Sequence, residues 1–280
     1  VFLNGQFVPA AQAVVSVFDR GFLYGDGLFE TIRVHRGRAF RWPQHWRRLQ
    51  RGAEFLGLRV PFGEALLKQS AAELIQRNAA HEGLLRVNLS RGVGPPGYAT
   101  RQADAPCLVM SLHALPSEHS IDPPRWRVIT ASVRVPTHDR LALYKTTSKL
   151  WHVLARREAE ARGADDALLL NTDGEVAEAS AGNVFWVTAD SVFTPPLTTG
   201  ILAGVTRDLV LELCRANAIP CVEKAISPVA LRRADAVFLT QSSRGVIEVS
   251  RLDERCFEPS PLVRRLQDSY QQVLERDCAG

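Results

Sequence analysis

The chain has 280 residues, 46% hydrophobic and 23% charged, with no low-complexity tract, which is enough to bury one large or two medium cores. Its formal net charge is only +4, and no stretch approaches the roughly 20 apolar residues of a bilayer span, so neither nucleic acid nor a membrane is an expected partner. Five scattered cysteines without CxxC spacing argue against a disulfide framework and a zinc site, and VFLNGQFVPA lacks the layout of a signal peptide; a cytoplasmic protein with no metal is expected.

In chain order, FLNGQFV (2 to 8) reads as two short strands around an Asn-Gly turn. LFETIRVHRGRAF (28 to 40) repeats that pattern with His35, Arg36 and Gly37 at the turn. Helices are predicted at about 43 to 57 and 62 to 80. The basic run RWPQHWRRLQR at 41 to 51 has helical spacing and reads as a solvated face with one or two anion contacts. LLRVNLS (84 to 90) and CLVMSLH (107 to 113) alternate as strands, with a Gly/Pro loop between them, and LPSEHSIDPP (115 to 124) is the best linker. A strand at 126 to 133 and a helix from about 147 to 162 follow. Short strands punctuated by Asp173-Gly174 and by the TAD at 188 to 190 come next, then a helix from near Thr206, the strand VFLTQ (237 to 241) and a helix over 261 to 276. Helices mixed with antiparallel strands, without regular alternation, indicate two α+β domains with a cleft between them: a small one over 1–114, a linker over 115–125 and a larger one over 126–280.

Lys145 stands between a short apolar run and a helix. Alone it could be an exposed residue; packed after Leu141, Leu143 and Tyr144, it could lose hydration and become a nucleophile for imine formation. Thirty-three residues on, Glu178 lies among small residues that would let a flat ligand approach, and a pyridinium nitrogen needs such a carboxylate to stay protonated. Gly204, Val205 and Thr206 form a loop-to-helix junction suited to a phosphate, to which Ser242 or Ser243 could add hydroxyls. Separately, Glu178 could be a surface acid, GVT an ordinary helix start and QSS a polar loop. Their order is the specific feature.

The runs GFLYGDGLFETIRV, HWRRL, SRGVGPPGY, YKTTSKLWHVLARREAEARGADDALLL, GEVAEASAGNVFWV, GVTRD and FLTQSSRGV, collinear from about residue 2 to 250, resemble the class IV, or fold type IV, pyridoxal-phosphate enzymes. The resemblance implies an α+β fold of two domains with pyridoxal 5'-phosphate in the cleft, and a homodimer acting on a small amino substrate. It implies that Lys145 attaches the cofactor covalently, that Glu178 pairs with the pyridine nitrogen, and that Arg48, Val205, Thr206 and Ser242 hold the phosphate, with Asn183 also at the cofactor. Tyr24, Arg91, Ser243 and Arg244 are the implied substrate contacts and Thr31 a further catalytic residue.

The family contains branched-chain aminotransferases, D-amino-acid aminotransferases and aminodeoxychorismate lyases. The first usually carry tyrosine where this chain has Leu150 and glycine where it has Thr31; the second usually carry a closely spaced arginine and histidine, whereas no histidine follows Arg91 nearby. Thr31, the SRGxGxxGY frame and SSRGV resemble the lyases, although Pro96 stands where these have arginine, which leaves a substrate-carboxylate contact either missing or supplied by Arg91, Arg101 or Arg244. The expected activity is therefore 4-amino-4-deoxychorismate lyase. The alternative is a transaminase moving an amino group between a D-amino acid or branched-chain L-amino acid and a 2-keto acid.

Overall fold

A computed structural model describes residues 1–115 and 125–279; all but the ends of the expected linker at 115–125 lie outside the described residues. The chain forms two compact units. The first comprises Val1–Pro116, Tyr144–Ser148 and Leu274–Gly280, and the second Ser117–Leu143 with Lys149–Val273. The first unit thus includes two segments from beyond residue 126, one of which carries Lys145.

The first unit is built on a six-stranded antiparallel sheet of β1 (Phe2–Leu3), β2 (Gln6–Phe7), β3 (Gly27–His35), β4 (Arg38–Ala39), β5 (Gly83–Ser90) and β6 (Cys107–His113), in the order β2-β1-β6-β5-β3-β4. Asn4-Gly5 and Arg36-Gly37 both have positive φ at the two turn positions, the twist a two-residue hairpin requires, as their sequences predict. Side chains alternate across β3: Leu28, Glu30, Ile32 and Val34 are buried, whereas Phe29, Thr31 and Arg33 lie on the more open face. Against the buried face packs α2 (Trp42–Leu56), which presents Trp42, Trp46, Leu49 and Ala53 at helical spacing. A Cβ at Gly52 would stand 2.9 Å from Leu28 Cδ2, so glycine is what allows the helix its close approach to β3. The helix α3 (Glu64–Arg77) adds Leu67, Ala71, Leu74 and Ile75 to the same core. The basic run at 41 to 51 is therefore only partly a solvated face, since His45 and Arg48 are buried. A short α1 (Arg20–Tyr24), capped by Asp19 and ended by Gly25 in the left-handed region, was not predicted; five residues leave too little periodicity to read.

The second unit holds a nine-stranded mixed sheet. Its strands are β7 (Arg125–Val135), β8 (Asp166–Asn171), β9 (Val176–Ala179), β10 (Asn183–Thr188), β11 (Ser191–Thr194), β12 (Cys221–Glu223), β13 (Ala236–Gln241), β14 (Gly245–Leu252) and β15 (Arg255–Cys256). The expected antiparallel arrangement holds for part of it, but β7 runs parallel to β8 and β14, and β11 parallel to β12. For β7 and β8 the reason is α4 (Leu150–Ala161), which carries the chain from one strand back to its parallel neighbour, and the helix over Val205–Ala216 does the same between β11 and β12. Both faces of β8 are buried, Leu168 and Leu170 in one core and Ala167 and Leu169 in another beneath Ala155 and Ala159 of α4, which accounts for the unbroken ALLL run. The remaining helices are α5 (Val205–Ala216), α6 (Pro228–Leu231) and α7 (Pro261–Asp277), the last reaching into the first unit from Leu274. The buried β14 was not predicted, because its glycine-led start SSRGV reads as loop.

Helix α4 begins three residues later than its pattern suggests. Phe29 N–H donates to Lys145 C=O at 2.9 Å and Thr147 N–H to Gly27 C=O at 2.9 Å, with Thr146 bridged to Leu28. Two β-branched threonines favour this extended pairing over a helical turn. The lysine is thereby strapped to the start of β3.

Candidate active site

In the first unit the open face of β3 carries a cluster centred on Phe29. Lys145 Nζ lies 4.5 Å from its ring centroid and Arg86 Cζ 3.5 Å. Arg86, on β5 directly opposite Thr31, donates to Thr31 Oγ1 at 3.1 Å and to Asn88 Oδ1 at 3.2 Å. Burial pulls its pKa down to about 10, against the opposing field of Glu30. Two cations thus share one aromatic ring, a geometry that holds both side chains. Sequence reasoning missed Arg86; the signal was a charge inside the alternating strand LLRVNLS.

On the buried face of the same strand Glu30 accepts from Arg48 Nε at 2.8 Å and Nη2 at 2.6 Å, and His45 Nδ1 lies 2.6 Å away. Burial alone would raise the Glu30 carboxyl, but Arg48, and after it His45, hold it down at about 2. The His45 imidazole is pushed down by burial, against the pull of Glu30, with Arg48 and Lys145 adding to the depression. This bidentate grip by a carboxylate that the sequence did not flag fixes the plane of the Arg48 guanidinium.

The loop SRGVGPPGY is fastened by Asp26. Arg91 meets that carboxylate at 2.7 and 3.0 Å, and donates to the carbonyls of Gly57 at 2.9 Å and Leu56 at 2.8 Å. Arg20 adds a 2.9 Å contact to Asp26 and a 2.8 Å bond to Gly97 C=O, and Gly97 N–H donates to the Tyr24 hydroxyl at 2.9 Å. Burial raises the Asp26 pKa, yet Arg91 and Arg20 together leave it lowered. Arg91 and Tyr24, expected at the substrate, both hold this loop, and Arg91 turns its guanidinium onto protein acceptors around its edge.

In the second unit Glu178, on β9, is 6% exposed. His152 Nε2 lies 3.0 Å from its Oε1, while Leu202 N–H donates to Oε2 at 3.0 Å and Asn183 Nδ2 at 3.3 Å. Burial opposes ionisation, but the His152 bond, followed by the charges of His152 and Lys149 and the Leu202 N–H, brings the carboxyl below its ordinary value. Asn183 also donates to Leu202 C=O at 2.9 Å, and its Oδ1 would overlap any Cβ placed on Gly204. Gly204 is the residue before α5 and offers no side chain to cap it, so Val205 and Thr206 begin the helix with backbone N–H groups exposed to an anion. Asn183 therefore joins the acidic end of this site to the helix start. Thr240, directly opposite Asn183 in β13 and so on the same face, has a buried hydroxyl with no partner among the described residues. An ionised buried carboxylate, an uncapped helix start and an unpartnered hydroxyl are what a protonated pyridine ring bearing a phosphate would engage; the residues fit that group.

Ser242, Ser243 and Arg244 make the turn between β13 and β14, where Ser243 Oγ donates to Gln241 Oε1 at 3.1 Å and Arg244 lies 5.7 Å from the Trp126 ring. Beneath them Asp166, raised by burial and bonded to the Ser180 hydroxyl, accepts from Gln241 Nε2 at 3.4 Å. Among the described residues no group of His, Cys, Asp and Glu could hold a metal ion, and no helix is long and apolar enough to cross a membrane.

The matching family model is that of class IV amino-transferases, and it covers residues 27–252. The chain belongs to this family and is a pyridoxal-phosphate-dependent enzyme, with the fold type IV architecture of its solved neighbours. Among its relatives is a Methanocaldococcus jannaschii protein provisionally named a branched-chain-amino-acid aminotransferase, 32% identical over 98% of this chain and 96% of its own. The D-alanine aminotransferase of Bacillus licheniformis is 30% identical over 100% of this chain and 98% of its own. The solved 4-amino-4-deoxychorismate lyase of Pseudomonas aeruginosa superposes with a TM-score of 0.87 at 31% identity, covering 98% of this chain and 99% of the other. Similar likeness to three activities leaves the reaction to be argued from the side chains.

Proposed function

We propose that the enzyme is a 4-amino-4-deoxychorismate lyase, releasing pyruvate and 4-aminobenzoate. The observation that supports this reading is the trio Lys145, Thr31 and Arg86 around Phe29. Pyridoxal phosphate, when bound, supplies the electron sink that makes loss of a proton beside the amine feasible. Lys145 would attach it, and its amine, once freed by the incoming substrate amine, would take that proton; Glu178 would keep the ring nitrogen protonated; Arg48, Val205, Thr206 and Ser242 would hold the phosphate, with Asn183 linking Glu178 to the start of α5. The Thr31 oxygen accepts from Arg86, which directs the hydroxyl hydrogen elsewhere, toward the oxygen of the departing enolpyruvyl group. Arg86 offers that group's carboxylate a cation from within the sheet. It fills the part left by Pro96 and by Arg91, which is turned onto Asp26.

The transaminase reading draws on the Methanocaldococcus jannaschii relative and on the same Arg86, which would equally hold the second carboxylate of a keto acid such as 2-oxoglutarate. Elimination needs no acceptor, whereas transamination stops after one turnover without one. Holoenzyme given aminodeoxychorismate and no keto acid should form pyruvate and 4-aminobenzoate continuously. Arg86→Leu should lower kcat/KM by roughly a hundredfold, the order expected for loss of a charge-assisted contact. Acceptor-dependent turnover of a D- or L-amino acid, with no pyruvate from aminodeoxychorismate, would establish the transaminase instead.

A homodimer is part of this proposal. The segment containing Val14, Val17, Phe18 and Phe22 exposes large apolar side chains, Phe22 at 74%, and Tyr98 is 87% exposed; a second copy is the partner that would cover them. Free thiols at all five cysteines accord with a cytoplasmic location.

A further inference from the structure

Helix α4 exposes Leu150, Trp151 and Val153 but turns His152 inward, in line with Ala155 and Ala159 on its buried stripe. From there Nε2 reaches Glu178 Oε1 at 3.0 Å. The opposite oxygen, Oε2, has two donors, Leu202 N–H and Asn183 Nδ2, so among the described contacts His152 alone serves Oε1. An ionised carboxylate only accepts, which makes Nε2 the donor, and Nδ1 is buried with no partner of its own among the described residues. A histidine held by a single bond, to a carboxylate buried in the site, is a costly arrangement for mere packing, since an apolar side chain would leave no nitrogen unsatisfied.

We propose that His152 is a positioning residue that governs how firmly Glu178 leaves the proton on the cofactor's ring nitrogen. This rests on the reading of Glu178 as the carboxylate beside that nitrogen. The physical reason is competition for one pair of oxygens. Each N–H donated to Glu178 stabilises its ionised form and lowers its appetite for a further proton. With His152 in place, Glu178 accepts a hydrogen bond from the ring N–H and lets the ring keep the proton. Without His152, Oε1 loses its donor, the carboxylate can turn about its Cγ–Cδ bond, and the shared proton moves toward Glu178. The ring is then a weaker electron sink, and the step that loses a proton beside the amine slows. The side-chain contact of His152 among the described residues is to Glu178, so substrate binding is expected to be left as it was. His152 and Lys149, both at the start of α4, are among the groups that hold this carboxylate below its ordinary value.

The test reconstitutes wild type, His152→Ala, His152→Gln and Glu178→Ala with pyridoxal phosphate labelled with 15N in the ring, whose chemical shift reports ring protonation directly. Steady-state kinetics and melting of each apoprotein accompany the spectra. The expected result is a pyridinium-range shift in wild type and a displacement toward unprotonated pyridine in His152→Ala. kcat should fall by roughly tenfold, the usual scale for an outer partner of a functional group, with KM nearly unchanged. Glutamine keeps an N–H donor at similar reach, so His152→Gln should recover most of the shift and rate. If His152→Ala keeps the wild-type shift and kcat while its apoprotein melts lower, His152 only packs α4 and the proposal is overturned. Glu178→Ala separates the two failures. A shift lost there but unchanged in His152→Ala overturns the role of His152 alone, whereas a shift unchanged in both overturns the reading of Glu178 and the proposal with it.

Discussion

Two neighbouring residues of β3 face opposite ways and face different chemistry: Phe29 receives Lys145 and Arg86, and Glu30 receives Arg48 and His45. Lys145→Ala should abolish both turnover and the visible absorption of the bound cofactor; an active alanine variant with unchanged absorption would remove the lysine from its role. Glu30 carries a separate pH dependence. Its folded pKa lies near 2 against an ordinary 4.5, so its contribution is fully present above pH 4.5 and is lost as pH falls through about 2. That gap corresponds to about 3 kcal/mol. Acid unfolding of the wild type should steepen across this window. Glu30→Gln should flatten that limb and lower stability at neutral pH by about 3 to 5 kcal/mol, because Arg48 stays buried without its counter-charge. An unchanged acid limb would show that the ion cluster contributes nothing. Lys145, Arg48, Glu178 and Thr206 were legible from the motifs around them and their order along the chain, whereas Glu30 and Arg86 sit inside strands β3 and β5, where a charged residue ordinarily reads as the wet side of an alternating pattern.

At the scale of elements, most boundaries followed from local chemistry. The Asn-Gly and Arg-Gly hairpins, the heptad-like α2 and the alternating β5 and β6 agree with the sequence because a single periodicity and a single buried face decide each. Elements decided by distant partners did not. The start of α4 depends on pairing between Lys145–Thr147 and β3, and β14 owes its place to β7 and β13, more than a hundred residues and a few residues away. Helix α5 illustrates how a site depends on what is absent from a side chain. Gly204→Ala would drive a methyl group into Asn183 Oδ1, displacing the amide that reaches both Glu178 and the helix start. Cofactor affinity, measured by titration of the apoprotein, should weaken by about tenfold, the scale of roughly 1.4 kcal/mol, with kcat at saturating cofactor less affected. Equal affinity in both proteins would mean that Asn183 does not set this end of the site.

For the whole molecule, family and cofactor were readable because the motifs are spread in fixed order along nearly the full length, while oligomeric state is written only as composition of a surface. The exposed run from Val14 to Phe22 gives that surface a testable form. Phe18→Asp combined with Phe22→Asp should shift sedimentation toward a monomer if a second copy covers these side chains, and a sedimentation coefficient equal to wild type would dismiss them as an interface.

The strap at Tyr144–Ser148 has a bearing on how the protein is made. By the time residue 113 has left the ribosome, every strand of the first sheet has been synthesised, but the lysine that docks on β3 is still some thirty residues away, and the last turn of α7, whose Glu275 meets His35, is the final piece of that unit to emerge. A nascent chain halted between residue 113 and Lys145 carries all six strands of that sheet without its amine. Cutting the gene at residue 114 would therefore yield a fragment unable to react with an aldehyde at this position, and supplying the remainder in trans would have to thread five residues back onto β3 before any imine could form.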